Sequence, residues 1–174
     1  MILNLSEEGR FVALTAFAVP DAMNPSATLK ELRIAIPNSE IQFLDGAHLA
    51  GKEHLEIAAI NASHAFKSRI NISRSLAMET LLYASAQRQI DAAIARIGVT
   101  RESRIVGIIA FADTEGNARA LEDKIAQILK VQLNDELLDE WSQEKTRNIA
   151  TFFAIGAKEL EAIKMPRQGM DEAV

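Results

Sequence analysis

The sequence predicts a two-layer α+β sandwich, in which a small mixed or antiparallel sheet packs against several helices. Two observations indicate this class. Three strand-sized apolar segments occur along the chain, and the helical segments that separate them are unequal, with one long helical block at residues 51–98. A doubly wound parallel sheet requires regular alternation of strands and helices, so that fold is not favoured.

The first third of the chain predicts a strand, a helix and a second strand. Phe11–Val19 is a nearly continuous apolar run with aromatic and β-branched members, which is typical of a buried strand. Asn24-Pro25-Ser26 has the residue types that begin a helix, and Pro37 ends it. Glu40–Leu44 alternates apolar and polar side chains, which predicts the second strand.

The middle third predicts three helices. In Lys52–Lys67, small and apolar side chains recur at helical spacing, and the alanines among them would let a neighbouring helix approach closely. A second helix is predicted at Arg74–Ala86, with Asn71 or Ser73 as its N-cap. A third helix is predicted at Gln89–Ile97, with a glycine cap at residue 98.

The last third begins with a strand that is apolar on both faces, Arg104–Ala112. A long amphipathic helix follows Asp113, and the remainder predicts two or three shorter helices with a break at Gly156. No repeat, low-complexity tract or linker interrupts the chain. Residues 1–174 are therefore expected to form a single domain.

Composition limits the classes of function. The chain has 174 residues, no cysteine and a net charge of −5. Without cysteine it has no disulfide, no thiolate nucleophile and no cysteine-based zinc site, as befits a cytoplasmic protein. The apolar runs are too short for a membrane span, and the acidic N-terminal segment does not resemble an export signal, so no membrane partner is expected.

The charge is unevenly distributed. Residues 47–98 contain six Lys or Arg against four Asp or Glu, and all three histidines lie there. Within this block, Ile57–Ile90 has four cations, Lys67, Arg69, Arg74 and Arg88, and one acid, Glu79. Such a cluster is either an ordinary solvated helix face or a local site for phosphates.

The search for catalytic chemistry is largely negative. No phosphate-binding Gly-rich loop or nucleophile elbow is present, and the histidines lack metal-ligand spacing, so we expect no cofactor, metal or catalytic residue. Glu79 and Tyr83 lie four residues apart on one predicted helix face. They could form an acid/base pair, but a structural hydrogen bond that anchors the helix is favoured.

The middle block resembles a known family. The segments GKEHLEIAAINASHAFKSR and NISRSLAMETLLYASAQRQIDAAIARIGV, between Gly51 and Val99, resemble the archaeal form of the small kinase-associated subunit of the KEOPS complex, the PRPK-binding protein family. The likeness rests on four motifs in the expected order and spacing: His54-Leu55, E-x-LLYAS from Glu79 to Ser85, RQI from Arg88 to Ile90, and Ile97-Gly98. It continues weakly into FFAIGAKELEA near the C-terminus.

The resemblance implies an α/β fold and a non-enzymatic role. It implies binding to the atypical kinase subunit of KEOPS and to the single-stranded CCA acceptor end of tRNA, which is delivered for threonylcarbamoyladenosine formation. No DNA partner is expected. Relatives often have Gly at the position of Ala86, so the turn there is expected to differ. Relatives also usually continue past the point of Val174 into a final strand, so the sheet is expected to lack an edge element.

Basic side chains and one aromatic ring are the ingredients of a single-stranded RNA site. We therefore expect the tRNA contacts to come from the middle block, with Lys52 and His54 at the margin of the site. The expected contact residues are Lys67, Arg69, Arg74, Tyr83, Arg88, Lys52 and His54. Two alternatives remain: a scaffold that binds only the kinase, and a small-molecule enzyme that uses Glu79 and Tyr83. The sequence does not indicate which surface binds the kinase.

Overall fold

A computed structural model describes residues 1–5, 9–21, 23–156 and 158–159. The chain divides into two compact units, residues 1–140 and residues 141–174. The expectation that residues 1–174 form a single domain stays a prediction.

The first unit contains a four-stranded sheet in which every neighbouring pair is antiparallel. Its strands are β1 Ile2–Leu5, β2 Arg10–Ala18, β3 Glu40–Asp45 and β4 Ile105–Ala112, in the spatial order β1-β2-β4-β3. Three of the strands were predicted, and β1 was not. The antiparallel sheet packed against helices confirms the predicted fold class.

Helices cover the central strands β2 and β4, whose middle residues are buried on both faces. On one face, Phe17 and Phe43 pack edge to face with ring centroids 5.7 Å apart, within an apolar cluster that includes Leu32 from the first helix and Ile125 from the fifth. On the other face, Gly107 lies directly under the side chain of Leu49, where a Cβ would come within 2.7 Å of it. A larger residue at this position would displace the covering segment.

The first unit has five α-helices among its described residues. They are α1 Pro25–Ala35, α2 Lys52–Lys67, α3 Leu76–Ser85, α4 Ile90–Ile97 and α5 Glu115–Leu129. Short 3₁₀ helices at Gly46–His48 and Asp135–Asp139 complete the unit. The start of α1 follows the predicted chemistry, since the Asn24 side chain accepts a hydrogen bond from the amide of Ala27.

One predicted cap is wrong. Neither Asn71 nor Ser73 caps α3; the N-cap is Ser75, whose hydroxyl accepts a hydrogen bond from the Met78 amide. The helix consequently begins two residues later than the predicted start at Arg74.

In the second unit, the described structure consists mainly of α6, Gln143–Phe152, which is capped by Ser142. The Lys145 ammonium lies 5.4 Å from the centre of the Trp141 ring, a cation–π contact. The predicted break at Gly156 follows the end of α6. Most of the helix expected after that break lies outside the described residues.

Candidate nucleic-acid interface

The candidate interface is built on α2 and α3, which run antiparallel to each other. Small residues make the close approach possible, because alanines are buried along both helices, at positions 58, 59, 62 and 65 of α2 and 77 and 84 of α3. The connecting segment, residues 68–75, returns the chain from the end of α2 to the start of α3. It carries two of the predicted contact residues, Arg69 and Arg74.

This connecting segment is held in place by Glu79. The carboxylate is only 2% exposed, and it accepts hydrogen bonds from the amides of Ile72, at 3.0 Å, and Ser73, at 2.6 Å. Hydrogen bonds of amides to a charged acceptor are among the stronger ones in proteins. Glu79 therefore makes structural hydrogen bonds, as the sequence analysis favoured, and these bonds anchor the segment that precedes α3.

A second carboxylate fixes the start of α3. Glu40, on β3, accepts hydrogen bonds from the Ser75 hydroxyl at 2.6 Å and from the Ala77 amide at 3.1 Å. An acid at the amino end of a helix is favoured by the helix dipole and by the free amides there. The segment 68–75 is thus tied at its far end to the sheet as well as to α3.

The turn after α3 depends on a left-handed residue. Ala86 has φ = 52°, and the amide of Gln87 donates a hydrogen bond back to the carbonyl of Leu82 at 3.1 Å. This is the Schellman arrangement, which usually has glycine at the left-handed position. The turn forms with alanine here. The expected difference from the family pattern is therefore a strained residue at position 86, and not a different kind of turn.

A groove of about 420 Å³ lies between this turn and the segment 68–75, and we call it the Tyr83 groove. Its walls are mostly apolar. The lining residues are Ile70, Ile72, Glu79, Leu82, Tyr83, Ala86, Gln87 and Arg88. Tyr83 is 40% exposed, so its ring is accessible to a flat ligand.

Glu79 lines the groove beside Tyr83, but its carboxylate is already bound by two backbone amides. The two side chains thus share a pocket, as an enzyme would require. The hydrogen bonds of Glu79 are those of a structural anchor.

A second groove of about 560 Å³ lies beside the amino-terminal half of α3, and we call it the Arg33 groove. Ile72 lines both grooves, so the two are adjacent. The Arg33 groove also contains Arg74, Ser75 and Met78.

The expected cations fall into two groups. Lys67, Arg69, Arg74 and Arg88 are exposed and lie at the end of α2, in the connecting segment and just after α3. Within the described ranges, none of the three arginines forms an ion pair with a carboxylate. Arg74 and Arg88 flank α3, whose ten residues span about 15 Å at 1.5 Å per residue.

Lys52 and His54 lie at the opposite end of α2 from Lys67. The Lys52 ammonium contacts the carboxylates of Glu136, at 2.7 Å, and Asp139, at 3.1 Å, which raise its pKa. This cation is therefore largely neutralised by carboxylates of its own chain.

His54 joins α2 to the end of α3. Its Nδ1 accepts a hydrogen bond from the Ala50 amide at 3.1 Å, so the proton is on Nε2, which donates to the Ala84 carbonyl at 3.0 Å. Burial lowers the pKa of the imidazole, and the hydrogen bond to Ala84 opposes that shift. The ring thus links the start of α2 to the end of α3 as a neutral donor and acceptor.

The described part of the chain contains neither a metal-binding cluster nor a membrane-spanning helix. No cluster of three or more histidine, aspartate or glutamate side chains is placed there to hold a metal ion. No helix there has both the length and the apolar character needed to cross a bilayer.

An antiparallel α+β domain that presents an apolar groove near exposed arginines, with the buried acid of that groove bound to backbone amides, has the features of a binding protein. The comparison with protein families agrees with this class. The model of the family "Kinase binding protein CGI-121" matches residues 21–169, and the chain belongs to this family. No curated protein matches the sequence.

Proposed function

We propose that this protein is a non-catalytic subunit of the KEOPS complex that binds the kinase subunit and recruits tRNA through its CCA acceptor end. Membership of a kinase-binding family supports the first half of this function. The match covers most of the chain, including both grooves and α2 to α5. The cytoplasm is the compartment that fits this role.

The Tyr83 groove carries the RNA part of the proposal. Unpaired bases are bound by stacking on aromatic or apolar side chains, and each stacked base contributes about 1–3 kcal/mol. The groove is lined by an accessible tyrosine ring and by two isoleucine side chains of the connecting segment. Arg88 lies on the same groove, where its guanidinium can contact the phosphate of a stacked nucleotide.

The remaining cations differ in how directly they contact the RNA in this proposal. Arg69 and Arg74 are exposed on a segment that Glu79 holds rigid, so they contact phosphates with little loss of conformational entropy. Lys67 adds positive charge at the end of α2. Lys52 and His54, which have partners within the protein, position the helix pair at the margin of the site.

A purely structural role for Glu79 favours a binding protein over an enzyme. An acid/base catalyst needs a carboxylate that can exchange a proton with the substrate. Both oxygens of Glu79 instead face the amides of Ile72 and Ser73. We assign the chemistry of the modification to another subunit of the complex.

The proposal is tested by fluorescence anisotropy with intact tRNA and with tRNA that lacks the CCA end. Intact tRNA should bind, with log affinity falling by about 0.7 per phosphate contact for each decade of salt, and the truncated tRNA should not. The double variant Arg69→Glu, Arg74→Glu should lose tRNA binding and keep its melting temperature. The matched control is Lys124→Glu, Lys130→Glu, which makes the same charge change at exposed positions of α5 and its end.

Two results would contradict the proposal. If neither tRNA binds, the protein is a kinase-binding scaffold without RNA affinity. If the arginine variant and the lysine control weaken binding equally, the attraction is a general charge effect and the grooves are not the site.

A further inference from the structure

The Arg33 groove is a second cationic site that continues the Tyr83 groove. Both grooves are lined by Ile72, and the Arg33 groove takes in Met78 of α3 while the Tyr83 groove takes in Glu79 and residues after it. The Tyr83 groove borders the carboxyl-terminal half of the helix, and the Arg33 groove borders its start, beside Ser75 and Met78. A linear ligand can therefore run from one groove to the other along α3.

The guanidinium of Arg33 is fixed in place. Its Nε and Nη2 donate to the carbonyl of Ile41, at 3.3 and 2.9 Å, and Nη2 also donates to Oε1 of Gln42 at 2.7 Å. Nη1 makes none of these bonds, which leaves its donors for an external acceptor. A planar cation held on one edge and open on another suits a phosphate oxygen.

One acid, Glu40, lies near Arg33 and offsets part of its positive charge. Glu40 is close enough to Arg33 to act on its charge, but its Oε2 is bound by the Ser75 hydroxyl and the Ala77 amide at the start of α3. Arg74 adds a second guanidinium to the same groove. Two guanidiniums against one carboxylate leave an excess positive charge, which attracts an anion.

We propose that the bound RNA strand crosses Ile72 into the Arg33 groove, where Arg33 and Arg74 hold the backbone phosphate on the 5′ side of the CCA end. This inference rests on the proposed function. Because the CCA end is terminal, only its 5′ side can continue beyond the Tyr83 groove. Three stacked nucleotides span about 10 Å at roughly 3.4 Å each. That length is shorter than α3, so the CCA nucleotides alone do not reach both ends of the helix.

The test compares two single-stranded RNAs by fluorescence anisotropy: the trinucleotide CCA and a six-nucleotide strand that ends in CCA. The longer strand should bind the wild-type protein more tightly, with a salt slope steeper by about 0.7 for each added phosphate contact. Arg33→Gln should weaken the six-nucleotide strand about tenfold and leave CCA unchanged. Arg33→Lys, which keeps the charge and loses the fork of donors, should recover part of the loss.

A second variant guards against damage to the fold, since Arg33 also binds β3. Arg74→Gln removes the other guanidinium, which has no such bonds, and should likewise weaken the longer strand more than CCA. Equal affinity of the wild-type protein for both strands, or an equal loss for both strands in these variants, would overturn the inference while leaving CCA recruitment intact. If the wild-type protein binds neither strand and no tRNA, the proposed function itself fails.

Discussion

The anchoring role of Glu79 makes a quantitative prediction, because its carboxylate is buried and its two partners are known. Glu79→Ala removes the acceptor for the amides of Ile72 and Ser73. A hydrogen bond to a charged group contributes about 1.5–3 kcal/mol. Ser73 is 5% exposed, so its amide has little access to water as a substitute, whereas the amide of the more exposed Ile72 recovers part of its loss. We expect a total loss of about 3 kcal/mol.

In a protein of this size, that loss corresponds to a fall in melting temperature of about 6–12 °C. The measurement is thermal unfolding followed by circular dichroism, and Glu79→Gln, which keeps one amide-accepting oxygen, should lose about half as much. Asp123→Ala is the control, since this acid is exposed in the middle of α5. The Glu79→Ala variant should also become sensitive to protease at residues 68–75. A melting temperature within about 2 °C of wild type would refute the anchoring role.

Three other substitutions test features of the same unit. Ala86→Gly should raise stability by about 0.5–1 kcal/mol in chemical denaturation, because glycine adopts φ = 52° without the strain that alanine has; a loss of stability would contradict this. Gly98→Ala should destabilise by about 1–3 kcal/mol, because a Cβ would lie 2.5 Å from the Ile94 carbonyl oxygen; an unchanged melting temperature would refute the close approach. Lys52→Gln should lower the melting temperature more in low salt than in high salt, because it breaks the ion pair with Glu136; an effect independent of salt would count against that pair.

Strong local patterns made most of the fold predictable. The helix at Lys52–Lys67 has the bounds that its apolar stripe indicated, and the buried strands β2 and β4 follow long apolar runs. β1 was missed because four residues are too few for a clear alternation, and it forms by pairing with β2. Its existence depends on a partner strand rather than on its own sequence.

The sequence predicted which cations and which aromatic ring would be exposed near α3, but not the contacts that arrange them, and RNA contact by these residues stays a prediction. The exposure of Arg69, Arg74, Arg88 and Tyr83 follows from the positions of polar residues around short helices. Glu40 binds Ser75 across 35 residues of sequence, and no local pattern signals such a contact. The same contact holds Ser75 at the start of α3, where it is the N-cap in place of the predicted Asn71 or Ser73.

His54 gives the last prediction, a dependence of stability on pH. In the folded protein its Nδ1 accepts the Ala50 amide, so protonation of Nδ1 would place two donors against each other. Burial acts in the same direction and lowers the pKa of the folded-state imidazole from its ordinary value of 6.5. The unfolded chain therefore takes up the proton at a higher pH than the folded protein does. The stabilisation is fully present above about pH 6.5 and is lost as the pH falls below that value.

The prediction is checked by urea denaturation of the wild-type protein and of His54→Gln between pH 7.5 and 5.5. Glutamine retains an amide donor and acceptor but does not titrate, while His48, His64 and the carboxylates are common to both proteins. The wild-type advantage in unfolding free energy should therefore shrink as the pH falls. A wild-type advantage that stays constant across this range would contradict the lowered pKa of His54 in the folded protein.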